Sequence, residues 1–141
     1  MPRFHYAAAL AIIVALLAPV AANASTSPVT QQQIQIDQAN VMAARGQVQQ
    51  IQNGIQTLSH DIQARDAQIA MFQAQWSALM ANPMTAPAAA PFQVQILALQ
   101  VQQSQARADL NRLMGSLAAA QVSLANAQLK LAQDKAALAT P

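Results

Sequence analysis

The chain has 141 residues, room for one domain at most, and only 9% of them are charged, against about a quarter in ordinary soluble domains. All five acids are Asp, and the net charge of +2 includes Arg3, so a pI near 9.7 reflects a few unbalanced charges and not a basic, nucleic-acid-binding surface. Cysteine is absent, which excludes a disulfide framework, thiol chemistry and sulfur-ligated metal.

Met1 to Ala24 reads as a secretory signal peptide. Arg3 gives the positive start, Ala7 to Ala18 is an unbroken apolar run, and Pro19 stops it. Ala22-Asn23-Ala24 then offers the small-x-small pattern cleaved before Ser25. The run is too short for a membrane span of roughly 17–25 residues, and no cysteine follows it for lipid attachment. The expectation is an exported protein, periplasmic or extracellular, with no membrane span after cleavage.

From residue 25 to 141 the sequence predicts an all-α fold: a long antiparallel two-helix hairpin of coiled-coil type, oligomeric in solution. In the first helix, expected over about 28–81, residues seven apart from Ile34 are all apolar: Val41, Val48, Ile55, Ile62, Ile69 and Trp76. These are a positions of a heptad. The d positions are Asp37, Ala44, Ile51, Leu58, Arg65, Phe72 and Leu79. Ser27-Pro28 signals the start, with Thr30 and Gln33 offering a capping box one turn later. Asn53-Gly54 is a potential turn, but the apolar phase continues across it, so the helix is read as continuous. Asn82-Pro83 ends it, because the residue before proline avoids helical geometry.

Residues 82–91 (NPMTAPAAAP) contain three prolines and no periodicity, and are expected to form the connecting loop. Its apolar tip, around Met84, is a candidate contact point for another envelope protein. The second helix is expected over about 92–139. Its a positions are Ile96, Gln103, Leu110, Leu117, Leu124, Leu131 and Leu138; its d positions are Phe92, Leu99, Ala106, Leu113, Ala120, Ala127 and Asp134. The alternation in Phe92 to Val101 would also suit a strand, but the downstream heptads favour helix. Joining a to d across the expected loop sets Leu79 beside Ile96, Ile62 beside Leu113 and Ile51 beside Leu124. It also predicts an ion pair between Asp66 and Arg107.

The background between the apolar positions is Gln: 23 residues, all between Gln31 and Gln133. Gln forms helix well and solvates it without charge. The second helix carries a further apolar stripe on its outward face, through Val94, Leu97, Val101, Gly115, Val122 and Leu129. The corresponding face of the first helix presents Asn53, His60, Gln49, Gln56 and Gln63. This asymmetry predicts that the second helix meets another surface, a second copy of the chain in particular.

Chemistry is not indicated. His60 is the one histidine after Ser25 and falls on an outward position, with no convergent ligands for a metal. The acids sit on helix surfaces with no cleft, and the isolated glycines cannot form a phosphate loop. No catalytic residue, metal or cofactor is expected, and the chain is not read as an enzyme. Arg65, at a d position, is read as reaching past Leu110 toward Asp109. Asp37 and Asp134 are placed near the open end, where fraying makes polar seam residues inexpensive.

The whole pattern resembles, in general terms, three kinds of exported helical protein. It is similar to the helical arms of small periplasmic holdase chaperones, though nothing in it reads as their β-stranded body. It resembles the hairpins of periplasmic pump adaptors, without their lipoyl and barrel domains. It also resembles minor pilus components of conjugation-type secretion systems, which are exported, Gln-rich and helical. These likenesses imply an envelope scaffold or assembly component working by helix–helix contact, with a holdase or a minor pilus component as alternatives.

Overall fold

The computed structural model describes residues 28–140; the expected export segment, Ser25 and Ser27 lie outside them. Two α-helices of 50 residues each, α1 (Gln31–Met80) and α2 (Ala90–Ala139), run antiparallel and pack along their length as a hairpin. At 1.5 Å per residue each is about 75 Å long. Both are continuous: α1 passes through Asn53-Gly54, and Phe92 to Val101 is helical.

Thr30 caps α1, its hydroxyl accepting from the Gln33 amide at 3.2 Å. The helix thus begins at the second start signal and not at Pro28. The reciprocal half of a capping box is missing, because the Gln33 side chain instead donates to Asp37 Oδ1 at 3.1 Å.

The connection is shorter than the sequence suggested. After Met80, Ala81 caps the helix, its amide donating to Ser77 O at 3.1 Å. Asn82 Oδ1 then accepts from the Met84 amide at 3.0 Å, and the Thr85 hydroxyl donates to Leu79 O at 2.8 Å. That hydroxyl satisfies one of the carbonyls a helix end leaves open. The chain re-enters helix at once, as a 3-10 turn (Ala86–Ala89) that runs directly into α2. Pro87 and Pro91 each stand in the first turn of a helical segment, where a missing N–H costs nothing and the fixed φ suits the helix. Prolines that looked like loop are helix starts.

This changes the register. The Phe72 and Phe92 rings lie 6.0 Å apart, Gln103 Nε2 donates to Ile62 O at 3.0 Å, and Lys130 Nζ donates to Asp37 Oδ1 at 3.0 Å. Leu113 Cδ1 lies 3.9 Å from where a side chain on Gly54 would begin. Together these set Val48 across from Ala120 and Ile51 across from Leu117, one heptad away from the pairing expected from a longer loop. Val48, Ile51 and Ala120 form the buried centre, with Ile55, Leu117 and Leu124 packed against them. A slip of one heptad leaves every a and d residue on the seam. All of those positions in both helices are buried or half-buried except Leu138, at the open end.

Candidate functional site

Two polar clusters interrupt the seam, and both are built from residues far apart in sequence. In the first third of α2, Gln103 occupies an a position and is 5% exposed. Its amide nitrogen donates to Ile62 O at 3.0 Å and to Asp66 Oδ1 at 2.7 Å. Asp66 also pairs with Arg107 at 3.3 Å, an exposed contact worth about 0–1 kcal/mol. The long Arg107 side chain makes this pair reachable in either register, so the pair does not report the pairing. Gln103 does, because a heptad slip would set its amide beside Phe72, away from the carbonyl it now bonds. The same layer holds Arg65, whose Nη1 is buried without a hydrogen-bond partner, as is Gln103 Oε1. Asp109, expected to receive Arg65, instead pairs with Arg112 at 3.3 Å.

At the open end, Asp37 is not a frayed surface residue: its side chain is 1% exposed. Lys130 Nζ donates to both of its oxygens, at 3.0 and 3.1 Å, and to Asp134 Oδ2 at 2.7 Å. The two carboxylates hold the Lys130 ammonium above its ordinary pKa, Asp134 contributing most. The hydrogen bond from Lys130, and then Asp37, hold the Asp134 carboxyl below the usual carboxylate range. Nothing in the spacing of the heptads marks Lys130 as the partner of Asp37. The readable signal is local, the i,i+4 placement of Lys130 before Asp134.

The outward face of α2 is solvent-exposed along its length. Val94, Leu97, Val101, Val122 and Leu129 are 56–68% exposed, and a side chain at Gly115 would meet nothing within 4 Å. These residues are not a loose scatter. Val94, Val101, Ala108, Gly115, Val122, Leu129 and Ala136 repeat every seven residues, and the positions three further on are Leu97, Ser104, Asn111, Ala118, Ala125, Ala132 and Ala139. That is a second heptad seam, opposite the one that closes the hairpin. Met84, at the tip, is 87% exposed, and Met42, Met71, Met80 and Met114 are also exposed. Of these methionines only Met84 lies at the expected contact point, the tip. The others were legible as methionines outside a and d positions, a soft apolar surface suited to adaptable contacts.

Among the described residues no group of three or more His, Cys, Asp or Glu converges as a metal site, and no helix is long and apolar enough to cross a membrane. No protein-family model matches the chain, and comparison with curated proteins and with solved structures finds no match.

Proposed function

We propose that this chain is an exported scaffold or assembly component of the cell envelope that works by helix–helix contact through the outer face of α2. The observation that carries this reading is the second heptad seam, apolar and exposed on a helix whose opposite side is already committed to α1. An exposed apolar row of this length, interrupted at Ser104 and Asn111, on a hairpin whose surface is otherwise rich in Gln is what an interaction surface requires. The exported location rests on the sequence of Met1 to Ala24. An intact mass beginning at Ser25 in the exported fraction supports it, and a chain that retains Met1 and stays in the cytoplasmic fraction contradicts it.

A photo-crosslinking amino acid placed at Val101 or Leu129, with His60 on the outer face of α1 as control, tests the reading in the native host. Adducts of discrete size from the α2 positions alone are expected. A broad smear of clients would favour a holdase, and adducts no stronger than those from His60 would overturn the proposal.

A further inference from the structure

The outer seam of α2 has a size pattern that selects its own partner. Resting on the reading above, we infer that the face is occupied by α2 of a second copy, antiparallel, about a two-fold axis between Gly115 and Ala118.

Val94, Leu97 and Val101 stand at one end of the seam and Val122 and Leu129 in its second half, with Ser104, Ala108, Asn111, Gly115 and alanines between and beyond them. Place two copies antiparallel with Gly115 of one opposite Ala118 of the other. Leu97 then faces Ala136, Val101 faces Ala132, and Leu129 faces Ser104 of the second copy. Val122 faces Asn111, and no two of the bulky apolar residues meet. Large-against-small layers keep a near-constant spacing between helix axes and let the backbones approach at Gly115, where the structure shows open space. The neighbouring registers lack this property. A slip of one heptad one way sets Leu97 against Leu129, and the other way carries Leu97 beyond Ala139, where the helix of its partner ends.

Charge selects the same orientation. Arg107 and Arg112 flank the seam, one on each side, and both are exposed. A parallel in-register pair would bring Arg107 of each copy against Arg112 of the other, twice per dimer, and would stack Gly115 on Gly115 and Leu129 on Leu129. The antiparallel pair sets Arg107 beside Gln121 and Gln128, and Arg112 beside Ala119 and Asn126. No like charges meet, and little desolvation of charge opposes the contact.

The extent is sufficient. The seam from Val94 to Ala139, with its two flanking rows, engages about 26 residues on each copy, within the roughly 20–30 a side of a stable standard-sized interface. The seam between α1 and α2 lies on the other side of α2, so each hairpin remains whole. The product is a four-helix layer with the two α1 helices outermost and the two tips pointing in opposite directions.

The chain has no cysteine, so single cysteines introduced on this face report the pairing directly. Ala118→Cys, near the axis, should form a disulfide-linked dimer under mild oxidation. Val101→Cys alone should not, because its two copies would lie about 45 Å apart. A mixture of Val101→Cys and Ala132→Cys proteins should crosslink. Gly115→Glu should weaken self-association at least tenfold in sedimentation, by setting two carboxylates at the axis, with helix content undiminished because Glu is a better helix former than Gly. Crosslinking by Val101→Cys alone would overturn the orientation. A wild-type protein that stays monomeric at micromolar concentration, or a Gly115→Glu variant that dimerises as well as wild type, would overturn the pairing itself. If adducts to other envelope proteins still arise from Val101 and Leu129 in that case, the scaffold reading survives and only the self-pairing fails.

Discussion

Lys130→Met removes the ammonium that bonds both oxygens of Asp37 while keeping most of the side chain's apolar length. The Asp37 carboxylate, 1% exposed, is then left with the Gln33 amide as its remaining hydrogen-bond donor. Stripping the partner from a buried ion pair costs about 3–5 kcal/mol when both groups are sequestered, but Lys130 is 46% exposed and water screens part of the pair. The expected loss is therefore about 1–3 kcal/mol, the cost of a buried polar group left underbonded. For a chain of this size that lowers Tm by roughly 4–15 °C. Thermal and urea unfolding followed by circular dichroism at fixed protein concentration measures it. Asp37→Leu combined with Lys130→Met removes both charges and should recover most of the loss, because apolar replacement of a buried pair is often neutral or stabilising. A Lys130→Met protein indistinguishable from wild type, or a double variant no better than the single one, would show that the Asp37–Lys130 pair does not stabilise the open end.

The same cluster fixes a pH profile. Asp134 has its folded pKa lowered, so its contribution is present above the ordinary value of 3.8 and lost as pH falls through the lowered one; Lys130 has its pKa raised, so its contribution is present below 10.5 and lost as pH rises through the raised value. Tm should be flat between these limits and fall outside both, with the alkaline limb weakened in Lys130→Met; an alkaline limb unchanged in that variant would contradict the assignment. Gly54→Ala should stabilise the hairpin by about 1 kcal/mol, since the added methyl meets Leu113 Cδ1 at an ordinary 3.9 Å, and a lower Tm would show that the helices are closer there than described. Cysteines at Val48 and Ala120 should crosslink and those at Val48 and Ala127 should not; Arg65→Leu with Gln103→Leu should raise the yield of the second pair, because an all-apolar layer no longer distinguishes registers. Equal yields from both pairs in the wild-type background would mean that Gln103 sets no register.

Most of the architecture was legible because it depends on period. The seven-residue repeats from Ile34 and Ile96 identify the buried faces, and those faces are buried. Register is different: a heptad slip preserves every a and d assignment, so the repeat alone cannot fix it. It is set by the turn and by Gln103. The turn is shorter than the three prolines imply, because Pro87 and Pro91 occupy first-turn positions and start helix where proline more often breaks it. The Asp37–Lys130 contact was hidden for a related reason, since it joins residues 93 apart and depends on the register. Arg65 was expected to bond Asp109, but Asp109 was already within reach of Arg112, three residues along its own helix. The outer seam of α2 was visible in the sequence, although the exposed methionines of α1 were not singled out.

The proposed assembly of this hairpin runs through the outer face of α2. The most direct measurement is the native size of the complex containing the protein in envelope extracts, for wild type and for two charge-matched variants. One is Val122→Asp with Leu129→Lys, on the outer seam of α2; the other is Gln56→Asp with Gln63→Lys, on the outer face of α1. The α2 variant should run as a single helical hairpin while the α1 variant keeps the wild-type size. An α2 variant that stays in a complex of wild-type size would contradict that assembly.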